Sequence, residues 1–340
     1  MNDILYENLA YEQTGKTFGE VYGSAGAPVE DNRPLFSKVT AGSPYTNVYK
    51  LSNTSKGYTM NMSLKAEKHF DFGLDLMASY TWTKAMSVNN GSSSVAESNW
   101  RYIYTYRNPN DPELGYSAYN IPHRIQASAY YHINYGAQKQ WQTTVGLIYQ
   151  AKSGSPYSIY YYGDVNEDGA NGNDLFFIPT DAQIDKMQFE ETNFSANALT
   201  KTVFGDNFTA PKLTADMQRA MMKHWIGNDS YMKNHRGEYY KRYADNLAFE
   251  HHFDVHFTQK YSFKVGGQIN SLELSFDIIN AGNMLNKNWG HTYGDGFGVY
   301  YSPVNYQRNG RYQFTGGYAT RNYNDYYSRW RGQIGLRYTF

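Results

Sequence analysis

The chain has 340 residues and no net charge, because Lys and Arg together number 31, as do Asp and Glu. Proteins that bind nucleic acid through its phosphates are normally basic, so this balance argues against a nucleic-acid partner. The absence of cysteine excludes a disulfide framework, a thiolate zinc site and a cysteine nucleophile.

Aromatic residues make up 17% of the chain, and 35 residues are tyrosine. Aromatic side chains fit the pleated surface of a sheet, so this composition favours strands over helices. The sequence contains no run of about 18 apolar residues, so it predicts no transmembrane helix. Residues 1–7 also lack the basic and apolar segments of a signal peptide.

Seven segments alternate apolar and polar residues with a period of two, which is typical of strands with one apolar face. In the segment 73–83, Leu74 and Leu76 lie on one face, and Asp75 and Ser79 lie on the other. The seven segments are 57–69, 73–83, 123–134, 141–149, 249–257, 272–278 and 330–340.

The predicted strands are about 10 to 14 residues long, whereas strands of soluble sheets mostly have about 5 to 6 residues. A tilted strand that crosses a bilayer needs about 9 to 11 residues and carries aromatic residues at both interfaces. Aromatic residues lie at or near the predicted strand ends: Tyr58, Tyr80, Trp82, Trp141, Tyr149, Trp330, Tyr338 and Phe340.

The connections between these strands alternate between short and long. Short ones at 70–73, 134–140 and 261–270 are followed by long ones at about 87–118, 164–247 and 282–297. Short periplasmic turns and long extracellular loops have this pattern in outer-membrane barrels. The sequence therefore predicts an all-β fold, an antiparallel transmembrane β-barrel segment of about 10 to 12 strands with long extracellular loops. The alternative is a soluble β-sandwich or solenoid with one core face.

Aromatic side chains in the long connections are candidates for ligand contact. Tyr and Trp offer flat faces for stacking on sugars or peptides at little entropic cost. The candidates are Trp100, Tyr157, Trp225 and Trp289. The ligand itself stays open, because glycans, peptides, metal chelates and cobalamin are all compatible with such faces.

One loop has the opening pattern of a calcium site. Asp164, Asn166 and Asp168 occupy positions 1, 3 and 5, and Gly169 follows at position 6. Position 12 lacks the bidentate Glu of an EF-hand, although Asp174 lies beside that position. Two interpretations remain, a Ca²⁺ site formed with additional carbonyl or water oxygens, or a surface turn rich in Asx and Gly residues.

A helix is predicted within 214–240, where Met217, Met221, Met222 and Trp225 form one stripe. This helix could line a vestibule for the substrate or contact a surface lipoprotein. Alternatively, its apolar stripe packs on the mouth of the barrel.

His251, His252 and His256 lie within six residues, but strand alternation places His251 on the lipid face and the other two on the lumen face. A solvated lumen wall is therefore a better interpretation than a metal site. The sequence also lacks the spacing of a serine hydrolase, a zinc protease or a phosphate-binding loop. We expect no enzymatic activity.

Several stretches carry a resemblance to a known family: 51–58, 120–124, 154–158, 164–175, 234–237 and 277–290. Together they resemble the C-terminal barrel portion of TonB-dependent outer-membrane transporters of Bacteroidota. The likeness is greatest to the Oar-like group, whose members carry a carboxypeptidase-regulatory-like domain at the N-terminus. It covers about 45–340.

The resemblance implies active import of a nutrient across the outer membrane, powered through the TonB complex. The complete barrel would have about 22 strands and a plugged lumen. Residues 1–340 would then be the C-terminal part, with the plug and the N-terminal strands outside this chain. A surface lipoprotein is a further implied partner, and no cofactor beyond the candidate Ca²⁺ is expected.

The last strand is similar to the signal by which the barrel assembly machinery recognises its substrates. Gly335, Tyr338 and Phe340 carry this likeness. Two alternatives to the importer remain: a complete, smaller passive porin or adhesin barrel, and a soluble carbohydrate-binding β protein.

Overall fold

The computed structural model describes residues 3–39, 45–293, 300–316 and 323–340, which form one long antiparallel sheet and a layer of connections at one end of it. The strands are β1 (Asp3–Asn8), β2 (Tyr11–Thr17), β3 (Pro34–Lys38), β4 (Tyr49–Thr54), β5 (Tyr58–Phe70), β6 (Leu74–Ser87), β7 (Gly115–Tyr116), β8 (His123–Tyr135), β9 (Trp141–Lys152), β10 (Pro156–Tyr162), β11 (Gln188–Phe189), β12 (Thr192–Asn193), β13 (Lys212–Leu213), β14 (Asp245–Asn246), β15 (Glu250–Val265), β16 (Gln268–Ile279), β17 (Tyr300–Tyr306), β18 (Arg311–Phe314) and β19 (Arg331–Thr339).

Short helices lie among the connections. They are α1 (Phe18–Tyr22), α2 (Ala96–Arg101), α3 (Asp181–Lys186), α4 (Ala198–Phe204), α5 (Ala215–Asn228), α6 (Ala281–Leu285) and α7 (Asp325–Ser328), with 3₁₀ turns at Gly23–Ala25 and Met232–Asn234. In the described part of the chain, no helix is both long and apolar enough to span a membrane.

The long sheet has the strand order β19-β16-β15-β9-β8-β6-β5, with the short β7 added beside β6. Each predicted strand segment corresponds to one of these seven strands, so that part of the prediction is confirmed. In the residues that the structure describes, these seven are the strands of membrane length, compared with the expected 10 to 12. The reason is that the residues between the strands fold into the layer of connections instead of forming more membrane-length strands.

The register of the sheet separates its residues into two faces. Leu76 of β6 pairs with Ala129, which pairs with Leu147 and then with Val255 and Ile278 on the following strands. This row crosses five strands and is entirely apolar.

The neighbouring row, one residue along each strand, crosses the same strands on the opposite face. It runs through Asp75, Tyr130, Gly146, His256 and Asp277. Since successive side chains of a strand point to opposite faces, the sheet has one apolar and one largely polar face.

The short turns all lie at one end of the sheet, at 71–73, 136–140 and 266–267. The tightest joins β15 to β16 through Gly266 and Gly267, whose φ angles of 57° and 90° favour glycine. The long connections 88–122, 153–249 and 280–330 lie at the other end, as the alternation predicted.

The described residues of the long connections and of the segment 3–54 build a second unit, which we call the loop layer. Its main sheet has the order β11-β18-β17-β10-β14, and the pair β10 and β17 is parallel. Its core includes Phe18, Tyr161, Phe176, Met221 and Phe314, all of which are buried.

Helix α5 is the helix predicted within 214–240. Thr214 caps it, because the side-chain oxygen accepts a hydrogen bond from the N–H of Met217 at 3.3 Å. Met221 and Met222 are fully buried, and Trp225 packs against the same core. This supports the interpretation in which the apolar stripe of the helix serves packing.

Candidate functional sites: the two-faced sheet and the loop layer

The apolar face of the long sheet is exposed. Leu76, Leu147 and Leu274 are 39%, 48% and 48% exposed, although Leu147 and Leu274 lie in the middle of their strands. A contiguous apolar surface of this kind is unfavourable in water and favourable in hydrocarbon, at about 25 cal/mol for each Å². We therefore identify this face as the one that contacts lipid.

A chain of aromatic contacts crosses the lipid-facing side at the short-turn end. The ring centroids of Trp141 and Tyr261 are 4.4 Å apart, and those of Tyr261 and Phe263 are 5.7 Å apart. The contacts continue from Phe263 to Tyr338 at 6.5 Å and from Tyr338 to Phe340 at 5.9 Å. Such a belt is characteristic of strands that leave the hydrocarbon for the interface.

A second set of aromatic residues lies on the lipid-facing side at the loop end. Tyr149 contacts Phe253 at 4.7 Å between centroids, and its hydroxyl oxygen is 2.7 Å from Nδ1 of His251. These rings place polar tips next to the loop layer and apolar bodies next to the lipid-facing rows. The two aromatic sets bound the apolar region at both ends.

The opposite face of the sheet carries charges of both signs. Near the loop layer, Lys152 pairs with Glu250 at 3.4 Å, and both border a cavity of about 230 Å³ together with Arg124 and His252. Further along, His256 pairs with Asp277. This face suits water or a polar protein surface.

The three clustered histidines are separated as predicted. His251 lies on the lipid-facing side against Tyr149, whereas His252 borders the inner cavity and His256 contacts Asp277 on the polar face. Among the described residues, no three His, Asp or Glu side chains converge closely enough to hold a metal ion by themselves.

The loop layer contains a polar cavity of about 920 Å³. The 3₁₀ turn Gly23–Ala25, β11 and the turn between β17 and β18 border it, and its charged groups include Glu191 and Arg308. Arg311 pairs with Glu190 in its wall at 3.3 Å. No sequence pattern indicated this cavity, because its walls come from segments more than 100 residues apart.

The predicted ligand-contact residues have different surroundings. Trp100 and Tyr157 are only 3% and 2% exposed, so their faces are covered by protein and a ligand would not reach them. Trp225 packs against Phe176 in the core of the loop layer. Trp289 is 56% exposed and keeps a free face.

The candidate calcium loop is partly buried within the loop layer, with Asn166, Asp168 and Asp174 fully buried and Asp164 partly so. The Asp168 carboxylate accepts hydrogen bonds from Nδ2 of Asn166 at 2.9 Å and of Asn173 at 3.0 Å. Asp174 is fully buried and pairs with Arg33 at 3.3 Å. Asp164 accepts a hydrogen bond from the N–H of Gly169 at 2.9 Å.

The predicted assembly-signal residues lie on β19 and beyond its end. Tyr338 and Phe340 belong to the aromatic belt, and the Tyr338 hydroxyl donates to Oδ1 of Asn270 at 2.7 Å. Gly335 lies opposite Ser275 on β16, where a side chain would meet the Ser275 hydroxyl. The structure thus gives each residue a packing role in the final strand pair.

Long antiparallel strands with a lipid-facing side, a polar inner side, aromatic belts and long loops at one end define an outer-membrane β-barrel protein. The model of a protein family described as "Outer membrane beta barrel domain" matches residues 3–289, and the chain belongs to this family. Searches of curated proteins and of solved structures returned no match. The protein is therefore located in the outer membrane, which excludes the soluble alternative.

Proposed function

We propose that the protein takes part in active import of a nutrient through TonB and that this chain supplies the C-terminal barrel wall and the ligand-side loops. The main supporting observation is that the sheet is open. In the described residues, β5 and β19 are its two ends and do not pair with each other. Unpaired backbone groups at membrane depth are costly, so further strands must cover both edges.

A larger barrel is consistent with the polar inner face. Barrels of about 22 strands enclose a lumen filled by a plug domain. A folded plug needs a polar wall to pack against, and the mixed charges of Arg124, Lys152 and Glu250 could provide one. In this proposal, TonB acts on the plug, which belongs to the transporter and lies outside residues 1–340.

The loop layer is the proposed ligand side. Its large cavity combines amide, carboxylate and guanidinium groups from Gln188, Glu191 and Arg308. Such groups hydrogen-bond to polar ligands, so a glycan, a peptide or a metal chelate fits this chemistry. In this proposal, the same layer would bind a surface lipoprotein. The barrel assembly machinery would recognise the last strand through Gly335, Tyr338 and Phe340.

Growth experiments test import. A strain that lacks the gene should fail to grow on at least one member of a panel of glycans, peptides and metal chelates that supports the parent strain. Inactivation of TonB in the parent should cause the same defect, because transport needs energy. Loss of growth in the gene deletion alone, with TonB dispensable, would contradict the proposal.

A passive porin is the second candidate function, and a swelling assay separates it from import. The protein purified from outer membranes is placed in liposomes with small sugars outside. The importer should be closed by its plug and show little swelling. Rapid swelling without TonB would instead support a passive barrel.

A further inference from the structure

We propose that the segment 164–174 binds Ca²⁺ and that the bound ion fastens the loop layer together. This proposal is independent of the transported nutrient and of TonB. It rests on the charges, the unsatisfied oxygen and the contacts of this segment.

The buried charges of the segment do not balance. Asp31, Asp168 and Asp174 are fully buried, and Arg33 pairs with Asp31 at 2.9 Å and with Asp174 at 3.3 Å. The described hydrogen-bond donors to Asp168 are neutral, namely two Asn amides and the N–H of Ala170 at 2.8 Å. Buried carboxylates without a countercharge are strongly unfavourable.

An unsatisfied buried oxygen lies in the same cluster. Asn173 is fully buried, and its Nδ2 donates to Asp168 at 3.0 Å, so the amide lies against the carboxylate cluster. Its Oδ1 has no hydrogen-bond partner in the described structure. Buried side-chain oxygens are nearly always satisfied, so this one indicates a missing electrophilic partner.

The chemistry of the ligand set favours Ca²⁺ over a transition metal. The described structure has no convergent trio of His, Asp and Glu, so amide and backbone oxygens must complete the set. Ca²⁺ takes six to eight oxygen ligands and tolerates irregular geometry. The alternating Asp164, Asn166 and Asp168, followed by Gly169 at φ 86°, match the first half of a calcium loop.

The segment connects three other parts of the loop layer through its backbone. The carbonyl of Asn166 accepts the N–H of Phe36 on β3 at 2.8 Å. The carbonyl of Asn173 accepts the N–H of Thr105 at 3.0 Å, and that of Asp174 accepts the N–H of Tyr161 at 2.9 Å. An ion that fixes the segment would therefore order all three neighbours.

Terbium luminescence is a direct probe, because Tb³⁺ replaces Ca²⁺ and is excited by nearby tyrosine. The Tyr11 ring lies against Gly169, where a Cβ atom would be 2.3 Å from the tyrosine hydroxyl. The protein extracted from outer membranes in detergent should sensitise Tb³⁺ emission. Excess Ca²⁺ should abolish this emission, whereas equal Mg²⁺ should leave most of it.

Asp168→Asn is the test variant, and Asp206→Asn is its control, because Asp206 is exposed on a loop of the same layer. We expect D168N to weaken Tb³⁺ binding at least about tenfold, a loss of about 1.4 kcal/mol. D206N should bind as the wild type does. Equal binding by D168N and wild type would overturn the proposal.

Limited proteolysis of the wild type gives an answer even if D168N does not fold. Trypsin should cleave the loop layer faster after EGTA treatment, and added Ca²⁺ should restore the resistance. Absence of sensitised emission, or protease resistance unchanged by EGTA, would refute the proposal. Neither result depends on whether the protein imports a nutrient.

Discussion

Arg33 is a buried cation of the loop layer that pairs with two buried carboxylates, those of Asp31 and Asp174. It is fully buried and donates through Nε to Asp31, through Nη1 to Asp174 and through Nη2 to the carbonyl of Leu175 at 3.0 Å. Its guanidinium also lies 5.1 Å from the ring centroid of Tyr161. It thereby joins the segment 3–54 to the candidate calcium loop.

Replacing Arg33 by methionine should destabilise the loop layer by about 3–5 kcal/mol, because the change leaves buried carboxylates without their cation. The urea concentration at which trypsin begins to cleave the layer measures this loss. Arg311→Met is the matched control. Arg311 pairs with Glu190 near the surface, so its loss should cost less than about 1 kcal/mol. Equal midpoints for R33M and R311M would contradict this account of Arg33.

Single residues were the least predictable part of the sequence. Trp100 was expected to face a ligand, but it packs beside Tyr6 and donates from Nε1 to Oδ1 of Asn110 at 2.8 Å. Tyr157 was also expected there, but its hydroxyl donates to Asp245 within the layer. Such partners are distant in sequence, and aromatic residues in loops serve packing and binding alike.

The membrane-length strands are the elements that determine where the protein resides. Each alternates apolar and polar residues over 9 to 16 residues. Because successive side chains of a strand point to opposite faces, one residue faces lipid and the next faces the inner side. Leu147 of β9 faces lipid, whereas Ile148 lies on the inner face opposite Ser128 and Asp254.

Leu147→Arg should therefore be far more damaging than Ile148→Arg, although the two changes introduce the same side chain one residue apart. A lipid-facing Arg near the middle of the bilayer costs about 2–4 kcal/mol, whereas lumen positions tolerate charge. The amount of folded protein recovered from outer membranes and its urea midpoint in lipid vesicles measure this difference. Similar losses for both variants would contradict the assignment of the two faces.

Element prediction succeeded where the signal is local. The alternation in 249–257 located β15, and the structure extends that strand from Glu250 to Val265 because two glycines suffice for the turn. The loop-layer sheet was missed, since β10 pairs in parallel with β17 across more than 100 residues of sequence. Such short strands do not alternate strictly between apolar and polar residues, so they produce no clear pattern in the local sequence.

At the scale of the whole molecule, the protein combines a membrane sheet with a folded layer on its extracellular side. The sheet is open in the described residues, and the layer has its own core, cavity and candidate calcium loop. This division explains why the described residues form seven strands of membrane length, fewer than the chain length suggested. The connections at this end of the sheet are themselves folded structure with a buried core.

Cysteine scanning of β9 tests the central claim, that this sheet spans the outer membrane with one face in lipid. The chain has no cysteine of its own, so a single cysteine introduced at a position within 143–150 is the only thiol of this chain that a maleimide can label. In intact outer membranes, a water-soluble maleimide should label the inner positions 148 and 150 and spare the odd, lipid-facing positions, because thiols in hydrocarbon do not ionise. The inner positions 144 and 146 are left out, since Thr144 is buried and a side chain at position 146 would meet the Tyr130 ring. Uniform labelling along the strand, or labelling of the odd positions as fast as Asp206→Cys in the loop layer, would contradict the account.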